Sequence, residues 1–255
     1  MAPSITTNGS WNHSTSRSHF HFWGILFIGQ TTHDAQAWAE SVCVSTPVRI
    51  CEPLGTGKRF WFNSAVINIG DVLVVTTEGS AITLRTDQHH SAQLLLSYQG
   101  VGSWKVDRDI FVNSVGESVL YFPQAPLLLE NDVTSGVALN IYPVVLIRSA
   151  LTMAGPMGLN VQRLGVFGQP KKSLCLDPIA GPLISSLYSI MHSLDQLRTA
   201  ISNTAQLLRL DDTSIRIAVL LLLPAIHFQT RLWLFADAVV APAPPQSGDA
   251  ASERG

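Results

Sequence analysis

Residues 71–123 form a succession of short β-rich segments, and this feature constrains the fold more than any other. Apolar and β-branched residues cluster in segments that begin about ten residues apart, and turn-forming residues separate them. This spacing is typical of antiparallel sandwiches and barrels and not of alternating strand–helix units. The predicted strands are 72–77, 81–85, 94–98, 104–106, 109–112 and 119–122, with another at 136–141.

A helical pattern follows the β-rich region. Short helices are predicted at 146–153 and 213–223, and a longer helix extends from Pro182 to Ser202. On the long helix, apolar residues recur in steps of four and three, as in a heptad stripe. This apolar stripe consists of Leu183, Leu187, Ile190, Leu194, Leu197 and Ile201. It either packs on the chain's own sheet or contacts a partner helix. The sequence leaves both open, and a homodimer is the hypothesis that we carry forward.

The pattern divides the chain into four parts. Residues 1–18 are rich in Ser, Thr and Asn and are predicted to be disordered. Residues 19–170 contain the β-rich domain with a transitional segment, and 171–235 form a helical unit. Residues 236–255 are rich in Pro, Ala, Ser and Gly, which is typical of a flexible tail. The expected fold class is therefore α+β.

The charge content argues against a free-standing nucleic-acid binder. Charged residues make up only 13% of the 255 residues, and the net charge is −2. Adjacent basic pairs occur only at Lys58-Arg59 and Lys171-Lys172, which are too few to follow a phosphate backbone. So little charge implies a neutral polar surface or a surface buried against a partner.

The apolar runs and the cysteines both favour a cytoplasmic location for the protein. The uncharged apolar run at 217–225 is far shorter than the ~20 residues that a membrane span requires. Residues 20–28 favour a strand or docking segment, with a secretion signal as the alternative. Three cysteines without a CxxC pair fit free thiols. Pairing or metal binding by Cys43 and Cys51 is the alternative to burial as small apolar residues.

No known catalytic motif occurs in the chain. Gly55-Thr-Gly-Lys58 lacks the upstream glycine of a phosphate-binding loop. The adjacent His89 and His90 would point to opposite faces of a strand and would not share one ion. Glu117, in a turn before an apolar strand, is more typical of turn capping than of catalysis. We therefore assign no catalytic residue, metal site or cofactor.

Two aromatic residues are the candidate ligand-binding residues. Tyr98 and Trp104 flank the turn Gln99–Gly102. Their amphipathic rings suit a pocket for a small molecule, and packing in the wall of the β-domain is the alternative.

The residues described so far resemble one known family. Segments 95–104 and 115–123, with their glycine turn, Gly-Glu turn and final proline, resemble the N-terminal cupin-type half of AraC/XylS-family transcription regulators. Segments 207–212 and 215–224 resemble the helical end of that half in bacterial, especially cyanobacterial, members. The resemblance covers about residues 40–224. It implies a cupin-like antiparallel β-barrel followed by an α-helical dimerisation unit.

The resemblance also implies a function. We expect a cytoplasmic regulatory domain that senses a small-molecule effector and forms a homodimer. The family's helix-turn-helix domain would follow Pro224, where this sequence has only residues 225–255. We therefore expect a truncated regulator that does not bind DNA specifically by itself. A small cupin-fold enzyme, such as an isomerase or metal-dependent oxygenase, is the alternative.

Overall fold

Antiparallel strands dominate the described chain as far as Ile141, with one helix among them, and three helices and one further strand follow. The computed structural model describes residues 30–42, 47–54, 60–131, 134–158, 161–196, 208–224 and 226. The strands are β1 (Gln30–Thr32), β2 (Val48–Pro53), β3 (Phe62–Ile69), β4 (Val72–Gly79), β5 (Ile82–Thr86), β6 (Ala92–Gln99), β7 (Val101–Val106), β8 (Asp109–Ser114), β9 (Ser118–Phe122), β10 (Leu128–Asn131), β11 (Thr134–Ile141) and β12 (Lys171–Leu174). The helices are α1 (Ala35–Val42), α2 (Pro143–Ala154), α3 (Ala180–Gln196) and α4 (Leu210–Leu222), with 3₁₀ segments at Gly155–Met157 and Val161–Gly168.

The strands form two sheets that face each other. The larger sheet has the order β1-β3-β4-β11-β6-β9-β12, and the smaller sheet has the order β2-β5-β10-β7-β8. The predicted antiparallel β-architecture with helices is present, but within the described residues no strand of one sheet pairs with a strand of the other, so the barrel is not closed. At the edge strands β12 and β8, the Lys172 Nζ donates to the Val112 carbonyl at 2.6 Å. A side chain therefore spans the gap that backbone pairing would have to close.

The larger sheet separates two packed layers because its side chains alternate between faces. Leu94 and Leu96 of β6 face the helices and belong to the largest apolar cluster of the molecule. Leu95 faces the smaller sheet and packs with Leu120 and Phe122. The order of layers is therefore helices, larger sheet, smaller sheet.

Helix α3 belongs to the intramolecular core. Asp177 Oδ1 accepts hydrogen bonds from the backbone N–H groups of Ile179 (2.7 Å) and Ala180 (3.0 Å), which fixes the start of the helix. Leu187, Ile190 and Leu194 are at most 8% exposed and pack in the same cluster as the larger sheet.

This packing agrees with the intramolecular alternative for the apolar stripe. Its described members Leu183, Leu187, Ile190 and Leu194 belong to the chain's own core or pack against it, and the homodimer stays a prediction. The 4-3 spacing describes one apolar helix face, and it does not specify what covers that face. Leu197 and Ile201 lie outside the described residues.

Each of the seven predicted strands and three predicted helices is present among the described residues, with bounds shifted by a few residues, and the predicted end of the long helix at Ser202 lies outside them. The described residues before Asp71 contain β1, α1, β2 and β3, which were not predicted. The predicted start of the helical unit at residue 171 is instead the start of β12, which pairs with β9. The predictions for residues 1–18 and 236–255 fall outside the described residues.

Candidate functional site

A cavity lies between the two sheets and measures about 120 Å³. The apolar residues between the sheets form two separate clusters, one around Phe62, Ile82 and Leu129 and the other around Leu95 and Phe122. The cavity wall includes Phe62, Ile82 and Leu129 from the first cluster and Leu95 from the second. The helix–sheet layer is packed as one continuous cluster, whereas this cavity interrupts the apolar packing between the two sheets.

Trp104 connects the two clusters and lines the cavity. Its ring centroid lies 5.5 Å from that of Phe122. Two glycines set its position. Gly100 has a φ of +80° and lets the chain turn sharply from β6 into β7. A Cβ at Gly102 would lie 3.0 Å from the Trp104 Nε1, so glycine at this position leaves room for the indole.

Tyr98 lies on the opposite face of the larger sheet. It packs edge-on against Tyr188 of α3, with ring centroids 5.1 Å apart. The hydroxyl of Tyr188 donates to the Ser97 carbonyl at 3.1 Å. The two residues proposed to share a ligand site are therefore separated, because Tyr98 follows the helix-facing alternation of Leu94 and Leu96. Trp104 alone of the pair lines the cavity.

His89 is one of the polar residues that line the cavity, a position that was not predicted from the sequence. It lies in the connection between β5 and β6, where the chain crosses from one sheet to the other, and is 2% exposed. The adjacent His90 is exposed. Burial, followed by the nearby His90, lowers the pKa of His89 to about 4. The imidazole is therefore neutral near pH 7.

The hydrogen bonds of His89 define its tautomer. The Thr86 hydroxyl accepts the backbone N–H of Leu127 at 3.2 Å and lies 2.9 Å from the His89 Nε2. A hydroxyl has one hydrogen, and His89 is the remaining partner for it. We therefore assign the hydroxyl hydrogen to Nε2, which places the proton of the neutral ring on Nδ1. That Nδ1 has no hydrogen-bond partner among the described residues.

Gln93, Ser97 and Asn131 also line the cavity, and neutral hydrogen bonds hold their side chains. Gln93 Nε2 donates to Asn140 Oδ1 at 3.0 Å, and Asn113 Nδ2 donates to Ser97 Oγ at 2.7 Å. The Asn131 Oδ1 accepts the backbone N–H of Ile82 at 3.2 Å. Among the described residues, no Asp, Glu, Lys or Arg lines the cavity. The site is apolar with a few fixed uncharged polar groups, as is typical of small-molecule pockets.

The other candidate residues lie apart from this site. Cys51 and Cys175 are free thiols, and burial raises the pKa of Cys51 to about 12. Glu117 is exposed in the turn before β9, where its carbonyl accepts the N–H of Cys175 at 2.8 Å. No group of three or more His, Cys, Asp or Glu with metal-binding geometry occurs within the described ranges. Cys43 and Lys58 lie outside them.

Trp38 is a further residue of the cavity wall that the sequence analysis missed. It lies on α1 and is 4% exposed, with its ring centroid 4.3 Å from that of Phe62. Asp34 starts this helix by accepting the backbone N–H groups of Gln36 (2.9 Å) and Ala37 (3.4 Å). An aspartate followed by alanine-rich sequence was the available signal for this helix.

The fold is similar to that of a solved regulator. The AraC-like transcriptional activator CuxR matches with a TM-score of 0.55 at 15% identity, over 76% of this chain and 69% of that chain. The EutQ protein of Clostridium difficile matches with a TM-score of 0.29 at 12% identity, over 35% of this chain and 75% of that chain. A cupin-like protein of Thermotoga maritima matches with a TM-score of 0.27 at 12% identity, over 36% and 71% of the two chains.

These similarities concern the fold alone. No known family profile matches the sequence, and no curated protein matches it. In the part of the chain that the structure describes, no helix has the length and apolar character to cross a membrane.

Proposed function

We propose that this chain is a regulatory domain that senses a small molecule in the cavity between its two sheets. The observation that carries the proposal is the interruption of the inter-sheet core by a cavity of about 120 Å³, lined by apolar residues and fixed uncharged polar groups. The similarity to an AraC-like activator supports a regulatory role at the level of the fold. A ligand would join the two apolar clusters that Trp104 now connects.

Thermal denaturation with three small aromatic probes tests ligand binding in the cavity. The probes are acetophenone, cumene and benzoate. At millimolar concentration, at least one of them should raise the Tm by binding the folded state. Ala138→Phe should abolish this increase, because Ala138 lines the cavity and the added ring would occupy it. Val66→Phe places the same ring on an exposed strand position outside the cavity (Val66 is 49% exposed), and it should retain the increase.

Two results would contradict the proposal. One is a Tm that none of the probes changes. The other is an increase in Tm that persists in Ala138→Phe while circular dichroism shows that the variant is folded. A sensor should also release its ligand unchanged. Chemical conversion of a bound probe, together with stoichiometric metal in the purified protein, would indicate a cupin-fold enzyme.

A further inference from the structure

His89, a residue of the cavity wall, has a buried ring nitrogen that no described residue bonds. The ring is 2% exposed and lines the cavity. Its Nε2 is bonded to the Thr86 hydroxyl, and its Nδ1 has no partner among the described residues. A buried N–H without a partner is unfavourable, so such groups occur where a ligand or water completes them.

The walls of the cavity also limit the charge of a ligand. Among the described residues, the lining contains no ionised side chain. An ionised ligand would lose its hydration without gaining a counter-charge, which is strongly unfavourable in an apolar site. The apolar wall and the indole of Trp104 instead suit a compact apolar or aromatic body.

We propose that the cavity selects an uncharged, compact molecule whose hydrogen-bond acceptor, such as a carbonyl or ether oxygen, binds the Nδ1–H of His89 while its apolar part packs against Trp104. The inference rests on the proposed function, since it specifies the ligand class of the same cavity.

The three probes separate the features of this ligand class. Acetophenone has a carbonyl acceptor, cumene has a similar shape without an acceptor, and benzoate carries a negative charge. Saturation-transfer NMR titrations should show that acetophenone binds about fivefold more tightly than cumene, the range expected for one neutral hydrogen bond. Benzoate should bind more weakly than either. Equal binding of cumene and acetophenone, or a preference for benzoate, would overturn the inference.

Substitutions at His89 test which protein group donates a hydrogen bond to the acceptor of the ligand. In His89→Gln, the terminal amide can still reach Thr86, but no donor remains at the Nδ1 position. The preference for acetophenone over cumene should disappear. In His89→Asn, the amide nitrogen lies near the original Nδ1 position, and the preference should persist. His90→Gln, made at the exposed neighbouring residue, is the matched control and should behave as the wild type.

The outcomes distinguish the two proposals. If acetophenone and cumene bind equally and Ala138→Phe removes both, the cavity is a ligand site and only the acceptor inference fails. If none of the three probes binds, the proposed function itself fails. If His89→Gln does not fold, the order of the three probes on the wild-type protein still decides the inference.

Discussion

At the scale of single residues, His89 is buried in its neutral form, with a single ring proton. Its hydrogen bond to Thr86 uses the Nε2 lone pair, which protonation would remove. The chain positions this residue through the β5–β6 connection, and Thr86 at the end of β5 fixes its ring. His89 and Thr86 therefore contribute to the polarity of the cavity wall, and His89 makes the stability of the folded chain depend on pH.

Acidification should destabilise the folded chain through His89. The pKa is lowered from an ordinary value of 6.5 to about 4, so the unfolded chain takes up a proton first as the pH falls. The stabilisation is complete above pH 6.5 and is lost between pH 6.5 and 4. Between pH 7.5 and 4.5, the free energy of unfolding should fall by about 2–3 kcal/mol through this residue.

Urea denaturation of the wild type and His89→Gln at both pH values measures this effect. Carboxylates and other histidines titrate equally in the two proteins, so the difference between the two pH profiles isolates His89. A steeper decrease for the wild type is expected. Parallel profiles would show that His89 has an ordinary pKa in the folded chain.

At the scale of elements, α3 stabilises the chain through the apolar stripe that the sequence also allowed as a dimer contact. Ile190→Asp with Leu194→Asp would place two charges in the intramolecular core, since both residues are at most 8% exposed. We expect a loss of several kcal/mol in the free energy of unfolding or an unfolded chain. Ser186→Asp with Ser193→Asp changes exposed positions of the same helix and should leave stability nearly unchanged.

Circular dichroism and light scattering of both double variants check this assignment. A core helix predicts that the Ile190 and Leu194 variant loses cooperative unfolding. A folded variant that changes only from dimer to monomer would instead show that the stripe forms the dimer contact.

The same elements show what the sequence could predict. Alternation and turn residues located β4–β9 and β11, because local patterns specify strands. They did not locate β12, whose Lys171 and Lys172 have no strand-like alternation; its place depends on pairing with β9. Trp104 was found through its glycine turn. His89 and Trp38 were not found as cavity residues, because their burial depends on how a connection and a helix pack between distant strands.

At the scale of the whole molecule, the two layers of the fold differ in packing. Helices α2–α4 and the larger sheet form one continuous apolar cluster. The inter-sheet layer is interrupted by the cavity, where we propose that a ligand binds. A ligand that bridges the two clusters would strengthen contact between the sheets, and this coupling is how we expect occupancy to alter the stability of the domain.

The most direct test of this account is the response of the tryptophan indole N–H resonances to acetophenone in ¹H–¹⁵N NMR spectra. Single Trp→Phe variants assign the signals of Trp38, Trp61 and Trp104. Trp38 and Trp104 line the cavity, whereas Trp61 does not. The account predicts saturable shifts for Trp104 and Trp38 and little change for Trp61. Shifts confined to Trp61, or unchanged indole signals at saturating acetophenone, would contradict ligand binding between the two sheets.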